Sequence, residues 1–421
     1  MTVGGVGLVK AVVIALILVL AAYICNKAGK AVKDRRSLTK AESLYSEAER
    51  LAAGNSYMEA AELYRQVLEI NGNSYKAYAG LGSMYFRMGK YDLAVDNYDK
   101  AAELNPGYAE VYSWKGNVLF FKGEYQAAME SYEKAIETYK RMHGDAAGSV
   151  FLSVCSYCKG NVSFAMGEYD KALGFYEEAL LENPEYLDAY IGKGLALVGL
   201  YRYKDAMKSY EAAISKKPGF AVAYYHRGNC LKALGKYDEA VKMYDRTIEL
   251  DPAYEGIYYN KANAYFLAGR YEEALESCNL ALEQDESHID AIYGKGVILF
   301  SLKRLQEAAE CFDRVIRIDP GYSAAYYHKA NIAKVLGKYN EALAYYDKAI
   351  ESDLTYADAY YSKGLLLTQI GNYEEALDYY NRTIQINPTY IDAYYSRGLV
   401  MDIIKNPEYG SGTQDNNKFL N

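Results

Sequence analysis

The chain has 421 residues, a formal net charge of −8, and 48 tyrosines against 11 phenylalanines and one tryptophan. That length is too great for one compact core. The charge is divided: residues 1–40 carry seven Lys/Arg against Asp34 alone, leaving a body with 40 of the 47 basic and 54 of the 55 acidic residues, an imbalance that argues against nucleic acid, which needs a basic face.

At the N-terminus, Ala11 to Cys25 is an uninterrupted apolar run, AVVIALILVLAAYIC, preceded by the apolar stretch Val3–Val9. Together they reach the roughly 20 residues needed to cross a bilayer, and Lys10 can snorkel to the interface. Residues 1–25 are therefore predicted to be a transmembrane anchor. Residues 26–40 form a basic juxtamembrane linker with Lys27, Lys30, Lys33, Arg35, Arg36 and Lys40, and positive flanks stay inside. This places the remaining chain in the cytoplasm. A cleaved secretory signal is the competing reading. It would need a basic region ahead of the apolar run, where only Lys10 stands, and the cluster beyond opposes export.

From residue 41 the chain repeats every 34 residues, and the clearest unit is 221–254, AVAYYHRGNCLKALGKYDEAVKMYDRTIELDPAY. With Ala221 as position 1, Tyr224, Arg227, Gly228 and Leu231 follow the 3–4 spacing of a helix face. Gly235 suits a left-handed helix end. Asp238 marks the start of a second helix, whose apolar face is Ala240, Tyr244, Thr247 and Ile248, and Asp251-Pro252 stops it. Gly228 and Ala240 let the two helices approach, with Tyr224 and Tyr244 expected to fill the space beside the crossing. One such hairpin cannot cover its own apolar faces, so neighbours must stack.

This pattern of Tyr224, Gly228, Leu231, Ala240, Tyr244 and Pro252 resembles the tetratricopeptide repeat (TPR), with Thr247 where that family usually has Ala. The resemblance implies an all-α, right-handed superhelical solenoid of antiparallel helix pairs. In chain order, residues 41–74 form a degenerate first repeat that keeps Ala48, Ala60 and Tyr64. Residues 75–108 and 109–142 complete a first block, 41–142. An insert at 143–152, with Gly144, Asp145 and Gly148 as turn formers, breaks the period, and the flanking helices should extend into it. Residues 153–390 carry seven further repeats without a slip, beginning at Ser153, Leu187, Ala221, Glu255, Ile289, Ser323 and Ala357. Residues 391–405 form a closing first helix with no second helix after it, and the polar residues 406–421 read as a disordered tail.

No catalytic constellation emerges, and the chain reads as non-enzymatic with no cofactor. Cys155-Ser156-Tyr157-Cys158 is a lone CxxC, short of the four ligands that a structural zinc needs. His226 and His328 share position 6 but stand three repeats apart, and no glycine-rich phosphate loop occurs. The cysteines Cys155, Cys230, Cys278 and Cys311 fall at core-type positions and suit buried, reduced thiols.

Two rows of residues exceed what a helix pair needs. In TPR proteins positions 2, 5, 9 and 12 of the first helices typically face an inner concave surface. Position 5 is Tyr157, Tyr225, Tyr259, Tyr293, Tyr327, Tyr361 and Tyr395, interrupted by Ile191. Position 9 is Asn117, Asn161, Asn229, Asn263 and Asn331, and position 12 includes Phe86, Phe120, Phe164, Phe266 and Phe300. One reading is a groove in which asparagine, both donor and acceptor, bonds an extended peptide while tyrosine supplies contact area. The other is that the tyrosines pack between adjacent first helices and the asparagines reflect repeat duplication.

The asparagine row resembles the inner ladder in the TPR portion of protein O-GlcNAc transferase, without its catalytic domain. The carboxylate clamp of chaperone-binding TPR domains is matched only at Asn229 and Asn260, with Tyr225, Asp290 and Gly294 at its basic positions. The expected function is a membrane-anchored scaffold that binds extended segments of partner proteins, a plan that resembles membrane receptors and assembly factors. The alternatives are a self-assembling scaffold, with the open last helix docking a neighbour, or an accessory subunit of a membrane enzyme.

Overall fold

The computed structural model describes residues 26–27, 38–144 and 149–406. The predicted anchor at 1–25, most of the basic linker, the centre of the insert and the tail beyond Asn406 lie outside the described residues. No helix among the described residues is long and apolar enough to cross a membrane.

Every regular element among the described residues is an α-helix, and the helices divide into two compact units, up to Lys216 and from Lys217. In the first unit α1 (38–53) is followed by α2 (Tyr57–Ile70), α3 (Tyr75–Arg87), α4 (Tyr91–Leu104), α5 (Ala109–Phe121), α6 (Tyr125–His143), α7 (Val150–Ala165), α8 (Tyr169–Glu182), α9 (Leu187–Gly199) and α10 (Tyr203–Lys216). The second holds α11 (Ala221–Ala233), α12 (Tyr237–Leu250), α13 (Ile257–Leu267), α14 (Tyr271–Gln284), α15 (Ile289–Ser301), α16 (Leu305–Ile318), α17 (Ser323–Val335), α18 (Tyr339–Ser352), α19 (Ala357–Gln369), α20 (Tyr373–Ile386) and α21 (Ile391–Lys405). Within each unit a first helix packs on the second helix of its repeat, and that helix packs on the next first helix.

The expected unit stands nearly as read. α11 ends where Gly235 takes φ 74°, and α12 ends at Leu250 before the extended Asp251. The helices beside the insert do lengthen: α6 runs for 19 residues and α7 for 16, against 13 or 14 in the regular repeats. One boundary shifts. The helix expected from Glu255 begins at Ile257, because Gly256 sits at φ 70°, outside the helical region.

In every repeat but that at 255–288, the crossing within the pair rests on a small residue and a ring. A Cβ on Gly228 would lie 2.6 Å from Cε1 of Tyr244, and one on Gly116, Gly160, Gly296 or Gly364 would meet the equivalent Tyr132, Tyr176, Phe312 or Tyr380 at under 3 Å. Ala94, Ala128, Ala172, Ala206, Ala240, Ala274, Ala308, Ala342 and Ala376 are fully buried beside that contact. Tyr224 is not part of it. Its hydroxyl donates to the Pro218 carbonyl at 3.2 Å and its ring faces Arg246, so the aromatic neighbour of Tyr244 is Tyr225, 6.3 Å between centroids.

A ladder of ion pairs joins successive repeats. The position-7 lysines Lys115, Lys159, Lys193 and Lys261 reach Asp99, Glu133, Glu177 and Asp245 of the preceding repeat at 2.6, 3.1, 2.8 and 2.7 Å. Lys329 and Lys363 do the same with Asp313 and Asp347. Lys363 is 5% exposed and also donates to the Tyr379 hydroxyl at 2.6 Å. Burial works to lower its pKa, and the hydrogen bonds to Asp347 and Tyr379 outweigh it.

Ala330 occupies position 8 opposite Tyr346 with both fully buried, so a crossing of this kind takes one methyl group. A branched side chain is not: Gly228→Leu should overpack the crossing and cost about 1–3 kcal/mol, read as a lower melting temperature. An unchanged melting temperature would mean that the Gly228–Tyr244 contact does not carry the pairing.

Candidate functional site

The asparagine row is tied to the scaffold through one of its two polar ends. The hydroxyls of Tyr132, Tyr176, Tyr244 and Tyr346, at position 24, donate to Oδ1 of Asn117, Asn161, Asn229 and Asn331 at 2.7, 2.8, 2.8 and 2.6 Å. These hydroxyls belong to nearly inaccessible rings, so a partner is obligatory. Tyr98 bonds Ser83 at position 9, and the repeat with Phe312, which has no hydroxyl, carries Val297 there, whereas Tyr380, with Leu365 at position 9, meets Thr368 at position 12, 2.9 Å away, and Tyr210 has Leu195 at position 9. Asn263 is the exception, since its repeat has Cys278 in place of the ring.

This bond orients the amide. With Oδ1 turned to the tyrosine, Nδ2 points away from the helix pair. Nδ2 of Asn117, Asn229 and Asn331 has no hydrogen-bond partner among the described residues. The Asn161 amide instead hydrogen-bonds Tyr157, a contact that opposes the burial raising that phenol's pKa. The sequence suggested a row offering both donor and acceptor, whereas the acceptor is already used in four of five members. What remains is the amide nitrogen of Asn117 in the first unit and of Asn229 and Asn331 in the second, each half-buried on a first helix.

The tyrosine row packs between repeats. Tyr157, Tyr225, Tyr293, Tyr327 and Tyr361 place their rings 4.9–5.4 Å from Tyr186, Tyr254, Tyr322, Tyr356 and Tyr390, which precede the next first helix; Tyr259 meets His288 at 5.6 Å. Four of the hydroxyls also reach position 6 of the next repeat. Tyr225 accepts from Asn260 at 3.3 Å and Tyr327 from Ser362 at 3.4 Å, Tyr361 meets Ser396 at 3.2 Å, and Tyr293 meets His328 Nε2 at 3.0 Å. Tyr395, on the last of the described helices, is 65% exposed. Each of the other six keeps part of its surface accessible beside the asparagine amides.

The remaining reactive side chains serve the core. Cys155, Cys230 and Cys278 are buried free thiols, and burial pushes them up to about 12, 11 and 12. Among the described residues no three His, Cys, Asp or Glu lie close enough to hold a metal ion. His328 stacks on Phe312 at 5.1 Å and 10°, and burial lowers His226 and His328 from 6.5 to about 4. Sequence reading also passed over two position-12 lysines, Lys232 and Lys334, which break the phenylalanine series. Their substitution for an aromatic was the available signal.

The histidines set a pH dependence. Above pH 6.5 they are neutral in both folded and unfolded chains. Between 6.5 and about 4 the unfolded chain binds protons that the fold refuses, so stability falls as pH drops through that window. His328→Asn, the residue found at the equivalent Asn260, should reduce the loss in melting temperature between pH 7 and pH 5. An unaltered loss would assign the effect to other groups.

Comparison with known proteins identifies the repeat. A tetratricopeptide repeat family model matches 221–254, 257–288, 289–322, 323–355 and 357–390, including the shifted start at Ile257. Other TPR models match 82–120, 109–141 and 159–221. No curated protein matches the chain. Among solved structures, yeast Tom70 is 15% identical over 89% of this chain and 98% of its own, with a TM-score of 0.42. A tetratricopeptide repeat protein from Parabacteroides merdae is 20% identical over 63% and 98%, at 0.46. YrrB, described as a TPR protein with an unusual peptide-binding site, is 24% identical over 48% and 98%, at 0.37. None of these scores reaches 0.5, so the assignment rests on the family models and on the helix pairs they coincide with: the chain belongs to the tetratricopeptide repeat family.

Proposed function

We propose that the protein is a non-enzymatic scaffold that binds extended segments of partner proteins along the half-buried face of its first helices. The observation that carries this reading is the fixed orientation of the position-9 amides. A tyrosine hydroxyl holds Oδ1 of Asn229 and Asn331 inward, so in the second unit their outward Nδ2 groups offer donors three repeats apart, with Asn263 between them, to the carbonyl oxygens of an extended chain. The position-5 tyrosines border this row with rigid, partly accessible rings. The N-terminal apolar run serves as the anchor in this proposal, with the repeats in the cytoplasm. Resistance of the full chain to extraction from membranes by an alkaline wash would support it, and release into the soluble fraction would remove the anchor.

The orientation dictates the test. Asn331→Ala would strip the Tyr346 hydroxyl of its acceptor and cost about 1–3 kcal/mol of stability, confounding a binding measurement. Asn331→Asp keeps the acceptor and deletes the donor. Asn263→Ala touches no such hydroxyl. Both should weaken capture of partner proteins in a crosslinked pull-down while leaving the melting temperature nearly unchanged. Loss of stability without separable loss of capture would show that the row serves packing alone.

A second reading, self-assembly, is favoured by α21. Ile391 is 79% exposed, and Tyr394, Tyr395, Leu399, Met401 and Ile404 are exposed as well. A Cβ on Gly398 would meet nothing within 4 Å, whereas the equivalent glycines lie against a ring. A mass by light scattering that rises with concentration, and that Leu399→Glu abolishes, would establish it; a constant monomer mass would dismiss it.

A further inference from the structure

Position 12 divides the first helices of the second unit. Phe266 and Phe300 are flanked by Lys232 on α11 and Lys334 on α17, three repeats apart. Both lysines are half-buried, and in both burial alone lowers the pKa, with no carboxylate opposing it. Lys232 donates to Oδ1 of Asn260 at 3.0 Å, and Lys334 has no hydrogen-bond or ion-pair partner among the described residues. This is the reverse of Lys329 and Lys363 at position 7, which burial also disfavours but which hydrogen-bond Asp313 and Asp347. Neither α11 nor α17 contains an Asp or Glu, while α15, α19 and α21 open with Asp290, Asp358 and Asp392.

Each lysine lies three residues after an oriented amide, Asn229 or Asn331, and so on the same helix face. Ammonium and amide N–H2 together offer donors only. We infer that these two patches receive side-chain carboxylates from one acidic, extended partner segment, which names the partner class for the groove proposed above and rests on that reading. An ammonium drawn partly out of water and left without a counter-ion gains more from an arriving carboxylate than one already paired. Two isolated cations suit sparse carboxylates better than a phosphate on every nucleotide, and the acidic remainder of the chain opposes a polyanion.

The spacing sets the probe. Neighbouring first helices at about 10 Å put the patches about 30 Å apart, or about nine extended residues. The probe is a fluorescein-labelled Gly/Ser peptide of about twelve residues with two Glu at each end, compared with its Gln counterpart by anisotropy against the full chain. The Glu peptide should bind more tightly. Lys232→Met and Lys334→Met should each weaken it about fivefold or more, equivalent to about 1 kcal/mol, without lowering the melting temperature, and the double variant should bind both peptides alike. No binding of the Glu peptide, equal binding of Glu and Gln peptides by the unmodified chain, unchanged binding by the lysine variants, or equally tight binding of a labelled oligothymidine would overturn the inference. If Asn331→Asp still weakens the Gln peptide while the lysine variants alter nothing, the groove stands and its acidic preference falls.

Discussion

The contact between a glycine or alanine at position 8 and the ring at position 24 sets the geometry of every helix pair but one. It brings the two helices close enough to bury the alanine at position 20 completely. It also carries a polar requirement, because the ring is usually tyrosine and its hydroxyl lies where water cannot reach it. That hydroxyl needs a partner on the first helix, and position 9 supplies it in most repeats, whereas Tyr380, with Leu365 there, meets Thr368 at position 12. Close packing and the asparagine row therefore have one cause. The same bond that satisfies the tyrosine decides which end of the amide faces outward.

In the proposed reading, packing and binding use opposite ends of one side chain. The Asn117, Asn161, Asn229 and Asn331 carbonyls belong to the scaffold, while the nitrogens of Asn117, Asn229 and Asn331 are left without a partner among the described residues. The tyrosines at position 5 are split in a similar way, with one face against the ring that precedes the next first helix and an edge beside the amides. Duplicating a well-packed repeat multiplies both features at once. A row of donors thus accompanies the fold at no added conformational cost, because packing has already frozen the rotamers.

The helix pairs, their limits and the lengthened helices beside the insert were legible because period, glycine and proline act locally. The delayed start at Ile257 turned on the conformation of Gly256, which spacing does not reveal. Tyr224 and Tyr225 were harder to assign. Both lie on one exposed turn of helix, and which of them meets Tyr244 depends on the angle between helices. The roles of Asn229 and Tyr225 needed a neighbour 15 or 35 residues away, beyond the range of any helical pattern. The ion-pair ladder was hidden for the same reason, since Lys363 and Asp347 sit on helices of different repeats.

The repeat at 255–288 combines several substitutions. Ala262 replaces the glycine, Cys278 the ring, His288 the tyrosine before the next first helix, and Gly256 delays α13 by two residues. In an array stabilised by contacts between neighbours, such a repeat is a seam at which cooperative unfolding can divide. The seam lies between Lys232 and Lys334. Loosening it alters the distance between the two cations, so a segment spanning both would hold the seam shut. Binding and local stability would then be one linked equilibrium, with occupancy read as protection of α13 and α14 from hydrogen exchange.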